Sequence, residues 1–145
     1  MLEPAMRTFA AAIRIRSNAE TVWAVLTDAS AWTSWNTTIS KIEGRIARDE
    51  KVVVYAKANP NRPFPVTVSE FVPYRRMVWT GGLPFGLFKG TRTYKLLEIG
   101  NEVEFCMEEV FSGPLAPLFS KMIPDLQPSF DEFAAALKKR VESNA

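Results

Sequence analysis

Histidine is absent from this 145-residue chain. Without an imidazole there is no Ser-His-Asp triad, no Cys-His nucleophile pair and no histidine general base. Zinc, copper and non-haem iron sites draw mostly on imidazole or on several thiolates, and the chain offers a single thiol, Cys106. Neither a metal nor another cofactor is expected. One cysteine also excludes an intramolecular disulfide and fits a reducing compartment. Charge of one sign is scarce too, with 18 Lys and Arg against 16 Asp and Glu. The basic residues gather only at Lys138-Lys139-Arg140, where cations suit the end of a helix. A nucleic-acid surface wants a basic stripe with matching aromatics, so nucleic acid is not an expected partner. No run approaches the ~20 apolar residues of a membrane-spanning helix. No charged-then-apolar leader opens the chain, which makes the cytoplasm the expected location.

Aromatic residues are plentiful. Ten Phe and four Trp exceed what a bare core of this size needs, so they predict either a large aromatic core or a lined pocket. The length suits one domain over 1–145.

Residues 7–16 alternate, with Phe9, Ala11, Ile13 and Ile15 on one face and Arg14 and Arg16 on the other, as in a half-buried strand. Ser17-Asn18-Ala19-Glu20 has the form of a capping box, and Val22, Trp23, Val25 and Leu26 follow at helical spacing. This predicts a first helix to about Asp28 and a short second turn over 31–35. Four more strands are expected at about 39–47, 52–58, 64–72 and 76–81, divided by turn-forming clusters at 48–50, 59–63 and 73–74.

The sharpest local prediction is the last hairpin, 88–99 and 102–111 around Gly100-Asn101. A two-residue loop led by glycine favours a type II′ turn, and loop length then fixes the register. Paired residue numbers sum to 201: Leu96 with Phe105, Tyr94 with Met107, Arg92 with Glu109, Gly90 with Phe111. That face is apolar except for Arg92 and Glu109. From Pro114 onward Leu115, Leu118, Met122, Leu126, Phe130, Phe133, Leu137 and Val141 recur at helical steps. Pro124 and Pro128 should kink or restart that helix.

Five stretches carry a family resemblance: residues 17–23 (Ser-Asn-Ala-Glu-Thr-Val-Trp), 31–36 (Ala-Trp-Thr-Ser-Trp-Asn), 76–79 (Arg-Met-Val-Trp), 90–94 (Gly-Thr-Arg-Thr-Tyr) and 111–113 (Phe-Ser-Gly). Together with the element order, they make the chain resemble the START/Bet v 1-like (SRPBCC) superfamily, of the polyketide cyclase/dehydrase and lipid transport type. The resemblance implies an α+β helix-grip fold. A curved antiparallel sheet of about seven strands would wrap a long C-terminal helix, with two short helices after the first strand. It also implies a cavity between sheet and helix for a small hydrophobic or amphipathic ligand. Relatives are carriers or, less often, cyclases and dehydratases. They share no catalytic motif, so no catalytic residue is carried over and enzyme activity stays open.

The candidate site follows from the inner face. Arg92 and Glu109 form either a structural ion pair or a polar anchor for a ligand, since guanidinium is a fixed fork of donors. A carboxylate neutralised by arginine is a poor general acid, which favours binding over catalysis. Tyr94 can add a phenol. Trp79, Met77, Phe88, Phe105, Met107, Phe111, Met122, Leu126 and Phe130 are the expected walls, each with plain core packing as the alternative. Trp35 is either a gate or a staple between helix and sheet. Glu70 faces inward by strand parity unless a bulge reverses it. The loop 82–87, Gly-Leu-Pro-Phe-Gly-Leu, is unusually apolar for a surface loop. Its Leu83, Phe85 and Leu87 need a partner: a ligand at a pocket rim, the C-terminal helix, or a weak membrane or protein contact.

Overall fold

Alternation and turn chemistry become seven strands in the computed structural model, which describes residues 7–143, Ser120 by its backbone alone. The strands are β1 (Thr8–Ile15), β2 (Ile39–Glu43), β3 (Lys51–Ala56), β4 (Phe64–Val72), β5 (Arg76–Gly82), β6 (Lys89–Ile99) and β7 (Glu102–Ser112). Helices α1 (Ala19–Thr27) and α2 (Trp32–Trp35) follow β1, with a 3-10 turn (Ala29–Ala31) between them. After β7 come α3 (Ala116–Phe119), a second 3-10 turn (Ser120–Met122) and the long α4 (Gln127–Ser143). The sheet runs β1-β7-β6-β5-β4-β3-β2, antiparallel throughout. This is the helix-grip arrangement, with α4 held against the inner face.

The β6–β7 hairpin keeps the expected register at every pair from Ile99↔Glu102 to Lys89↔Ser112. Its turn carries a φ of 60° at Gly100, which a type II′ turn requires of its first central residue and glycine supplies without a Cβ clash.

The free edge of β1 is closed by side chains of α4. Gln127 donates from Nε2 to the Ala10 carbonyl at 2.7 Å and accepts from the Ala10 amide at 3.4 Å. Lys138 donates to the Arg14 carbonyl at 2.6 Å, and Glu142 accepts from the Arg16 amide at 2.9 Å. An exposed edge is a template for unwanted pairing, and these polar groups occupy it. The same helix buries Phe130, Phe133, Ala134, Leu137 and Val141.

Four expectations need correction. The cap of α1 is Asn18, whose Oδ1 accepts from the Thr21 amide at 2.8 Å. The Ser17 amide is instead used in the turn off β1, donating to the Ile15 carbonyl. The second strand stops at Glu43 rather than 47, and Ile46 folds into the core. A bulge between Val68 and Glu70 sends Glu70 outward, where it meets Arg76 at 3.1 Å. Leu118 and Met122 are 62% and 74% exposed. The helical stripe is broken by Pro124 and restarts at Gln127, with Pro128 in the first turn where its missing amide costs nothing.

Candidate functional site

Strand pairing lays the inner face out in rows. One row reads Phe9, Glu109, Arg92, Trp79, Val68 across five strands. The next, toward the hairpin turn, reads Ala11, Met107, Tyr94, Met77, Phe71. On the other side stand Phe111 and the adjacent glycines Gly90 and Gly81. Arg92 and Glu109 are thus direct cross-strand neighbours inside an apolar surface.

The pair is made. Arg92 Nε donates to Glu109 Oε1 at 2.7 Å, and its Nη2 lies 2.6 Å from the same oxygen. Glu109 is 14% exposed and Arg92 30%. The guanidinium also lies over the Phe130 ring, 4.8 Å from its centroid, so α4 supplies a cation–π lid. Desolvation works against the charge on Arg92, but the Glu109 carboxylate, with the Tyr94 oxygen beside it, outweighs that and raises its pKa. Arg92 is a permanent cation.

Tyr94 is fully buried, and its hydroxyl makes no hydrogen bond of full geometry; the Arg92 guanidinium approaches it both as a charge and as a hydrogen-bond donor, which leaves the phenolic proton without an acceptor. Burial is the largest influence and raises its pKa; Arg92 works in the opposite direction and Glu109 adds to the rise. The phenol stays neutral and keeps a proton to donate. A buried hydroxyl without a well-formed hydrogen bond costs roughly 1–3 kcal/mol. The Trp35 Nε1 and Asn36 Nδ2 groups are also buried without partners.

The other expected site residues fall into three groups. Trp79, Phe111 and Phe130 surround the ion pair, with half-buried Phe88 stacked on Phe111 at 5.8 Å and Leu126 one turn before Phe130. Met77, Met107, Phe105 and Trp35 belong to the core deeper along the hairpin. Phe85, 98% exposed, and Met122 stand in solvent rather than on the inner face.

Two residues outside the expected site organise the deep half. Phe133 of α4 packs on Trp32, Trp35, Tyr94 and Phe105 at centroid distances of 5.4–6.0 Å. Trp32 stacks on Trp79 at 5.5 Å and donates its indole N–H to the Leu26 carbonyl. Helical spacing placed Phe133 on the buried stripe of its helix, but the rings converge from separate segments, so only the fold reveals the cluster. The missing side chain of Gly90 matters as well: a Cβ there would lie 3.1 Å from Glu109 Oε2 and 3.2 Å from the Phe111 ring.

A separate hollow of about 310 Å³ lies between β1, β7 and β6. Its lining includes Ala10, Ala12, Thr93, Lys95, Cys106 and Glu108, which alternate with the inner-facing residues and so belong to the outer face. Burial, then Glu104, raises the pKa of Cys106, so its thiol is protonated and unreactive at neutral pH.

Comparison with known proteins agrees with this architecture. A START superfamily protein from Mycobacterium smegmatis matches with a TM-score of 0.71 at 14% identity, over 95% of this chain and 99% of that one. A protein from Thermus thermophilus matches with a TM-score of 0.72 at 17% identity, over 96% and 99%. The Zhui aromatase/cyclase from Streptomyces sp. R1128 matches with a TM-score of 0.72 at 12% identity, over 97% and 96%. At these identities the likeness is one of fold. No curated protein matches. The family model for polyketide cyclase/dehydrase and lipid transport matches residues 6–142. With nearly its whole length accounted for by that model, the chain belongs to the polyketide cyclase/dehydrase and lipid transport family.

Proposed function

We propose that this protein binds a small amphipathic molecule whose apolar body lies among Phe88, Phe111 and Phe130 and whose polar head meets Arg92 and Tyr94. The observation that carries this is the buried Tyr94 hydroxyl, whose proton has no acceptor, beside the Arg92–Glu109 pair. A hydroxyl proton kept in an apolar interior without an acceptor is costly, and a ligand acceptor such as a carbonyl, phenolate or carboxylate would remove that cost. Arg92 adds a fixed positive charge to the same point.

Binding fits the groups available better than catalysis does. Acid–base chemistry needs titratable groups converging on one reacting atom. Here the carboxylate of Glu109 receives two nitrogens of Arg92 on one oxygen, and the phenol of Tyr94 has a raised pKa. The second reading, cyclase or dehydratase chemistry, is favoured by the same two donors, which would polarise a ligand carbonyl.

The test is titration with anilinonaphthalene sulfonate, a fluorescent aromatic probe with an anionic head. The folded protein should take up the probe stoichiometrically and release it to competing amphipaths. Arg92→Met with Glu109→Leu should fold and bind the probe much more weakly. Failure of well-folded protein to take up the probe would overturn the proposal.

A further inference from the structure

The loop between β5 and β6 presents its apolar residues to water. Phe85 is 98% exposed, Leu83 41% and Leu87 40%. Phe85 sits at φ 61°, a left-handed conformation uncommon for a bulky side chain. Gly86 follows at φ 67° with open space around it. Two successive left-handed residues turn the Phe85 ring away from the body of the protein.

The loop is held in that shape. The Leu83 amide donates to the Phe88 carbonyl at 2.8 Å, and the Leu115 amide donates to the Leu87 carbonyl at 2.9 Å. Gly113 allows this approach, because a Cβ there would stand 2.7 Å from the carbonyl oxygens of Gly86 and Leu87. Phe88 packs on Phe119 at 5.2 Å. The connection from β7 to α4 is thereby bound to the β5–β6 loop, and it adds exposed Leu118 and Met122 to the same end of the molecule.

In the connecting segments at this end, 57–63, 83–88 and 113–126, every charge but one is positive. Arg62 lies just before β4, its guanidinium over the half-exposed Phe64 ring. Lys89 begins β6 and Lys121 precedes α4, both exposed. The carboxylate in these connecting segments, Asp125, accepts from the Gln127 amide at the start of α4. A projecting apolar tip flanked by cations suits a surface with an apolar interior and anionic headgroups. A protein partner would instead need a deep apolar pocket to receive so prominent a ring. Among the described residues no helix is long and apolar enough to cross a membrane, so any membrane contact of these segments is peripheral.

We infer that this end of the molecule docks onto anionic lipid bilayers, with Phe85, Leu87 and Leu118 entering the interface and Arg62, Lys89 and Lys121 meeting the headgroups. The docking does not depend on what the inner face binds.

The experiment is co-sedimentation of the full chain with phosphatidylcholine vesicles, with and without phosphatidylglycerol. Vesicles containing about one-third anionic lipid should bind the protein, and neutral vesicles should bind it far less. Phe85→Ser removes a side chain that touches almost nothing, so folding should be unaffected while vesicle affinity falls about tenfold or more. Lys89→Glu with Lys121→Glu should abolish the preference for anionic lipid. The inference is overturned if folded protein ignores anionic vesicles, or if Phe85→Ser binds them as well as the parent does. Loss of a protein contact on Phe85→Ser with vesicle binding unchanged would also overturn it.

Discussion

The inner face of the β6–β7 hairpin changes character halfway along. Near the turn, Tyr94 and Phe105 pack on one another and on Phe133 in a stack of rings. Toward the open end stand Arg92, Glu109 and the bare Gly90, with Arg92 30% exposed. The same two strands in one register therefore build an aromatic floor and a polar patch. Tyr94 belongs to both, its ring in the stack and its hydroxyl at the boundary.

The largest expected effect breaks the aromatic half. Phe133→Ala should destabilise by about 3–5 kcal/mol in chemical denaturation, because it opens a cavity against four rings that cannot collapse together. A loss under about 1 kcal/mol would mean that the stack is loosely packed.

The next effect sharpens the contrast at the ion pair. Arg92→Met alone should cost roughly 3 kcal/mol, the low end for a buried pair because Arg92 is partly exposed. Adding Glu109→Leu should recover much of that loss. Additive losses across the cycle would show that the two side chains do not interact.

The smallest effect concerns the β1 edge, outside both halves. The Arg16 amide, and after it Lys138, lower the Glu142 pKa to about 2. A depressed carboxylate pKa stabilises the fold above the ordinary value near 4.5, and that contribution is lost as pH falls toward 2. Glu142→Gln should flatten this part of the acid limb in a pH series of thermal melts and leave the inner face unchanged. An unaltered acid limb would contradict it.

Much of this division could be read in the sequence, for a physical reason. A two-residue turn transmits one register down the whole hairpin, so Gly100-Asn101 placed Arg92 opposite Glu109 across 17 residues of chain. Local rules failed where tertiary contacts decide. Ser17 lost the helix cap to Asn18 because the first helical bond, from the Val22 amide, ends on the Asn18 carbonyl, and a bulge reversed Glu70. Met122 fitted a helical stripe that Pro124 interrupts. The Phe133 stack was invisible because its partners come from separate segments, and no periodicity records such convergence. The exposed Phe85 was half legible: the loop's composition signalled an unmet partner, while its outward aim needed the backbone.

Tyr94→Phe tests the central claim most directly, because it removes only the hydroxyl whose proton has no acceptor. Thermal stability without ligand should stay unchanged or rise, since a buried unsatisfied group is lost. Affinity for anilinonaphthalene sulfonate should fall about three- to tenfold, the value of one hydrogen bond. Lower stability with unchanged affinity would contradict the account, making the hydroxyl part of the fold rather than of a binding site.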